Sequence, residues 1–297
     1  MLQNHLKAIF VDIYMTGNIV LFLVAVYKLM YESHSLAWAG TAIASGAVTG
    51  LFGLYYAGRL PRTSRHIPLL LVLTLLGTVL AGIGFAYGGW DSTSGIPFVL
   101  ALTLSLIGTL AYLYWYSYLE RAATSTLRVG ETLPTFTLLD TGGNPVSIES
   151  LRGKPVLMVF YRGNWCPLCM AQVRELADQC HAFLLRGITV ALVSPQPQSK
   201  SAALAKRMDV PFQFLTDPGG QAARKLGIEH QAGLPLGLQV FGYDTNTVFP
   251  TLIVIDQNGK IVFVDQTENY RVRPELDVVL GRVAALSGAS RIREAFL

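Results

Sequence analysis

Two cysteines three positions apart, Cys166 and Cys169 in the run YRGNWCPLCMAQVREL (Tyr161–Leu176), are the residues most able to do chemistry in this chain. Pro167 suits the first turn of a helix, where its missing N–H has no role. That places Cys166 at the N-cap, beside unpaired backbone N–H groups and the positive end of the helix dipole, which favour the nucleophilic thiolate. Cys169 lies one turn further on, within disulfide reach and on the apolar stripe. The expectation is an exposed attacking thiol with a sheltered partner, fit for a reversible disulfide cycle, with Arg162 close enough to support a thiolate and Trp165 beside it. A zinc site made with Cys180 and His181 is excluded, because Cys180 would lie about 16 Å along the helix from Cys169. Cys180 reads as core filler on the apolar face.

The flanking sequence supplies a scaffold. Val156–Tyr161 is a continuous apolar run, as in a strand buried on both faces. A helix is expected over Pro167–Arg186, with Cys169, Val173, Leu176, Ala177, Cys180, Phe183 and Leu184 on one stripe and Gly187 as its stop. Ile188–Ser194 is a second buried strand, which makes a strand–helix–strand crossover with parallel strands. Upstream, Thr135–Leu139 and Val146–Ile148 flank Thr141-Gly142-Gly143-Asn144 and read as a hairpin. Downstream come helices over Ser199–Met208 and Gly219–Leu226 around the strand-like PFQFLTD. A hairpin follows, TLIVID and KIVFVD about Asn258-Gly259, and then a closing helix over Pro274–Leu286. The sum is a mixed sheet of four or five strands covered by helices.

With the dithiol at the end of the first buried strand, residues Val129–Leu286 resemble the thioredoxin superfamily. The peroxiredoxin-like (alkyl hydroperoxide reductase/thiol-specific antioxidant) branch fits best, on GETLP before FTL, FYRGNWCPLC and FLTDPGGQAARKLGI. The resemblance implies a thioredoxin-like α/β fold and a redox-active cysteine pair with no further cofactor, reset by a thioredoxin- or glutathione-type thiol reductant. It also implies that Val248-Phe249-Pro250-Thr251 is the loop that sets a cis-proline against the cysteines, and that Arg273 is the arginine of the branch's Arg-Pro ending. In thioredoxins the first cysteine attacks. In peroxiredoxins with a Thr-Pro-x-Cys pattern the attacking residue matches Cys169, and Cys166 stands where the threonine would be. Peroxide reduction, protein-disulfide reduction and a redox sensor without turnover remain three readings of the same pair.

The first 120 residues are of another kind. They hold five Lys/Arg and four Asp/Glu, against 18 and 15 in residues 121–297. Four apolar stretches near 8–30, 36–57, 67–88 and 96–119 are each long enough to cross a bilayer, which takes about 20 residues. Aromatic residues cluster at their ends, as in interfacial anchors. The expectation is a transmembrane four-helix bundle over 1–120 in contact with lipid, a linker over 121–128, and the thiol domain over 129–297. Arg59, Arg62 and Arg65 in the second loop, with Arg121 and Arg128 after the last span, put the C-terminal domain on the cytoplasmic side of a cell membrane. Ala42, Gly46 and Gly50, like Gly84 and Gly88, recur every four residues and suit close packing within the bundle or a homo-oligomer contact between copies. Asp12 and Asn18, the polar residues inside a span, read as structural. No cysteine precedes Cys166, so thiol relay through the bilayer is excluded. A net charge of +4 without basic blocks gives no nucleic-acid signal.

Overall fold

The computed structural model describes residues 2–31, 35–89, 95–121, 124 and 126–282. The chain divides into two compact units between Tyr118 and Leu119.

The first unit has four helices long and apolar enough to cross a membrane: α1 (Leu2–Tyr31), α2 (Leu36–Tyr56), α3 (Pro68–Gly88) and α4 (Gly95–Tyr116). Their large apolar side chains, such as Leu69, Val72, Leu76 and Val79 of α3, point outward. Polar side chains turn inward and bond to backbone: Thr41 and Ser45 donate to the carbonyls four residues back, at 2.9 and 2.6 Å. Thr74 and Thr78 do the same. Asn18 is a brace, as expected. Its amide donates to the Tyr14 carbonyl (2.8 Å), and its oxygen accepts from Ser105 Oγ (2.7 Å). Ser105 lies in a π-helical stretch of α4, Ala101–Ile107, a widening of the kind that redirects one side chain within a helix. The small-residue contact of α3 with α2 uses the expected Gly84, but on α2 a different face from the expected one. Gly77 packs so closely on α2 that a Cβ there would stand 2.5 Å from the Ala44 nitrogen, and Gly40 and Gly84 are similarly crowded by Ala81 and Ala37. Of the expected stripe, Gly46 meets the Phe22 ring and Gly50 meets nothing within 4 Å.

In the second unit the described residues form a seven-stranded sheet, in the order β2-β1-β5-β4-β3-β8-β9. Its strands are β1 (Thr137–Leu139), β2 (Pro145–Ser147), β3 (Val156–Phe160), β4 (Thr189–Ser194), β5 (Gln213–Thr216), β8 (Thr251–Ile255) and β9 (Ile261–Asp265). The short pair β6 (Glu229–His230) and β7 (Thr247–Val248) stands apart. β3, β4 and β5 are parallel, and β8 runs antiparallel to β3. Every residue of β3 and β8 is buried, as the continuous apolar runs require. The sheet exceeds the expected four or five strands because the first hairpin joins it through the Leu139–Thr216 pair.

The helix expected over Pro167–Arg186 is two: α5 (Pro167–Asp178) and α6 (Cys180–Leu185), broken at Gln179 (φ −100°, ψ 14°). The break turns the stripe, so that Leu184 is exposed and Cys180 is half-buried instead of lying in the core. Gly187 ends the segment at φ +66°, the left-handed conformation glycine accepts. α7 (Gln198–Met208) and α8 (Gln221–Lys225) follow as expected, α8 after a 3₁₀ turn. Of the helix expected over Pro274–Leu286, residues 276–282 are helical, Pro274 and Glu275 are not, and 283–286 lie outside the described residues. Leu127, expected in a linker, is buried in the sheet's core cluster with Leu133 and Phe136.

Candidate active site

The site forms where the parallel strands β3 and β4 end, the place at which open α/β sheets gather functional groups. The Tyr161 N–H donates to the Val193 carbonyl at 2.9 Å and carries the strand on by one residue. The chain then turns through Gly163 (φ +149°), where a side chain would collide with the Trp165 indole. Cys166 takes an extended N-cap conformation (φ −86°, ψ 111°), Pro167 opens α5, and the Met170 N–H donates to the Cys166 carbonyl at 3.0 Å.

Both thiols are buried: Cys166 is 2% exposed and Cys169 1%. The expectation of an exposed attacking thiol is therefore corrected. Just before the N-cap, the Arg162 guanidinium lies 4.7 Å from the Trp165 ring. Electrostatics separate the two sulfurs. A hydrogen bond from the Cys169 thiol, with the Arg162 charge beside it, lowers the Cys166 pKa to about 6 against the opposing effect of burial. Donating that bond, together with burial, pushes Cys169 up. The Cys169 backbone N–H in the first turn of α5 adds a smaller lowering, so the shift comes from the neighbouring thiol and Arg162 more than from the helix end.

Arg273 stands near both sulfurs, and its charge favours the thiolate at each. It is only 4% exposed, and none of its three guanidinium nitrogens has a hydrogen-bond acceptor among the described residues. A buried cation in that state is costly unless an anion or polar ligand faces it. Arg162 does not face solvent: it is buried and donates to the Gly233 carbonyl, while its own carbonyl accepts from Thr247 Oγ1 at 2.8 Å. Pro250 and Thr251 are also buried. Thr251 pairs in register with Phe160, so the turn before β8 lies beside the strand end that leads to the thiols. No peptide bond among the described residues is cis, so Pro250 is trans, contrary to the expectation from the loop.

Gln196, two residues past β4, was not foreseen. Its amide donates to Tyr161 Oη (3.0 Å) and Ser201 Oγ (3.1 Å), and its oxygen accepts from the Asn164 N–H (2.8 Å). Tyr243 secures the other side of Asn164. Burial, then the charge of Cys169, pushes the Tyr161 phenol up, so it stays a neutral hydrogen-bonding group. The available signal was positional: Gln196 follows the C-terminal end of a parallel strand next to the thiol strand.

Residues 129–264 match the family model described as AhpC/TSA family. Over 139 residues the chain is 30% identical to "Putative peroxiredoxin Rv2521" of Mycobacterium tuberculosis, covering 47% of this chain and 85% of that protein. The chain belongs to the AhpC/TSA family. Peroxiredoxin Q, chloroplastic, of Sedum lineare is 32% identical over 120 residues, 40% of this chain and 64% of that one. Among solved structures, peroxidoxin BcpB of Mycobacterium tuberculosis aligns with a TM-score of 0.46 at 25% identity, over 54% of this chain and 97% of that chain. The AhpC/TSA match begins after Arg121 and ends before Arg273, so both arginines lie outside it.

Proposed function

We propose that this AhpC/TSA protein is a membrane-anchored thiol peroxidase that turns over through a Cys166–Cys169 dithiol–disulfide cycle. The reading is carried by the buried thiol pair, whose shared proton leaves one thiolate, set against the unpaired guanidinium of Arg273. Cys166 is the attacking sulfur, since the Cys169 thiol and Arg162 both favour its thiolate. The thiolate attacks the terminal oxygen of a hydroperoxide. An S–O bond forms as the O–O bond breaks, and the leaving alkoxide takes up a proton to depart as alcohol or water. Arg273 stabilises the negative charge moving from sulfur to oxygen. Cys169 then attacks the sulfenic sulfur, the S–S bond replaces the S–O bond, and hydroxide leaves with the thiol proton as water. An external reductant, one thioredoxin-type dithiol or two glutathione-type thiols, returns two electrons and two protons by exchange and leaves as its own disulfide.

A protein-disulfide reductase is the second reading, favoured by the low pKa of the first cysteine of the pair. Burial of both sulfurs opposes it, because a small hydroperoxide reaches a sheltered thiol more easily than a folded disulfide partner does. The four apolar helices are read as the anchor, and the arginines flanking them favour a thiol unit on the cytoplasmic side. The test is peroxide consumption by the full chain in detergent, with Cys166→Ser and Cys169→Ser. Cys169→Ser should still react once and accumulate sulfenic acid, whereas Cys166→Ser should not react. Fast reaction retained only in Cys166→Ser would transfer the attack to Cys169, the position that the family pattern offers. Insulin-disulfide reduction without peroxide consumption would replace the peroxidase by the reductase. A membrane-impermeant thiol reagent applied to intact cells should leave the pair unlabelled, and labelling would reverse the sidedness.

A further inference from the structure

Arg121 reads in sequence as a linker charge, yet its side chain is built into the thiol unit. Nη1 donates to the Pro250 carbonyl at 3.3 Å and Nη2 to Thr251 Oγ1 at 2.9 Å. The guanidinium lies 5.6 Å from the Phe249 ring, which itself stacks on His230 at 4.5 Å. The Thr251 hydroxyl donates in turn to the Phe249 carbonyl at 2.8 Å, so one arginine clasps all three residues of the turn into β8. Burial pushes Arg121 down to about 10, with Asp265 opposing and Arg273 adding to the shift. Asp265, at the end of β9, has a buried Oδ2 with no hydrogen-bond partner among the described residues. Burial raises its pKa, and the charges of Arg273 and Arg121 pull it back. The charges of half-buried Arg121 and buried Arg273 thus both act on one carboxylate, and the charge of Arg273 also acts on both sulfurs.

We propose that Arg121 is a positioning residue of the thiol site: it holds the Phe249–Thr251 turn and shares Asp265, so that Arg273 stays directed at Cys166 and Cys169. Without Arg121, Asp265 has Arg273 as its single counter-charge and draws that guanidinium from the thiols. The segment that follows the fourth apolar helix is then part of the site. The inference rests on the thiol-site reading above but not on peroxide as the oxidant. The groups facing the pair are Arg162, Arg273 and the Tyr161 phenol, and those facing Arg121 are Asp265 and Arg273.

The test is the pH dependence of iodoacetamide alkylation of the reduced full chain carrying Cys180→Ser, so that only the pair reports. Arg121→Ala should move the midpoint up by about one pH unit, which corresponds to about tenfold less thiolate below it. Arg121→Lys, which keeps the charge but not the two-pronged clasp, should fall between. Adding Asp265→Asn to Arg121→Ala should return the midpoint toward that of the parent, because Arg273 is released. A midpoint unchanged in Arg121→Ala would overturn the proposal, as would an equal shift with and without Asp265→Asn. If Arg121→Ala does not fold by circular dichroism, Arg121→Gln and Arg121→Lys decide instead: the order parent, Lys, Gln in rising midpoint supports it and equal midpoints overturn it. Because alkylation needs no peroxide, a failed peroxidase assay and a failed positioning test are separate results.

Discussion

The polar groups buried among the apolar helices contrast with the charged groups beside the thiols. In the helical unit Thr41, Ser45, Thr74 and Thr78 each return a hydrogen bond to the preceding turn, and Asn18 is held by Tyr14 and Ser105. In the thiol unit Arg273 is buried with three nitrogens lacking acceptors, and Asp265 and Arg121 each hold one further unpaired atom. A satisfied group stabilises the fold and asks for nothing more. An unsatisfied charge beside two thiols stores an interaction for something that arrives later. The comparison separates residues that build this chain from residues that act.

The largest test of this separation removes the acting sulfur. Cys166→Ser should lower the peroxide rate by at least about 10³-fold, read by stopped-flow, while thermal stability changes little. Arg273→Met should follow, with a loss of about 10²-fold and an alkylation midpoint above that of the parent. An unchanged rate would place Arg273 among the builders. Gly77→Ala should do the reverse: the new Cβ against Ala44 should destabilise the helical unit by about 1–3 kcal/mol in detergent unfolding, with the thiol midpoint unmoved. Asn18→Leu should cost less, about 0.6–2 kcal/mol, by loss of the Ser105 bond. Cys180→Ser should have the smallest effect, leaving peroxide turnover where it was.

The pH dependence follows from the same charges. The folded Cys166 pKa is about 6, below its ordinary value of 9.0. The thiolate is therefore stabilised in the folded chain, and that contribution, full above pH 9, fades as pH falls through about 6. Reactivity should rise through a midpoint near pH 6 and stay flat at neutral pH.

Much of this was legible in sequence because the signals were local. The four apolar lengths gave helix bounds that differ from the structure by a few residues, the first helix starting earliest, at Leu2. Val156–Phe160, the N-cap at Cys166 and the turn at Gly187 follow from runs and single residues whose physics needs no distant partner. What failed depended on tertiary context. The burial of Cys166 is not announced by its neighbours in sequence, and the helix break at Gln179 carries no proline or glycine. The α2–α3 face chose Gly40 and Ala44 over Gly46 and Gly50 because α3 presents Gly77 there. Gln196, Arg121 and Asp265 join the site from positions 30 to 100 residues from the dithiol, with no spacing to announce them.

The central claim is that Cys166 and Cys169 form one redox unit, and single turnover tests it most directly. The reduced full chain, mixed with one equivalent of hydrogen peroxide, should consume it, lose the mass of two hydrogens and yield a Cys166–Cys169 cross-linked peptide with Cys180 still free. A stable sulfinic acid on either cysteine, or a disulfide that includes Cys180, would contradict the account.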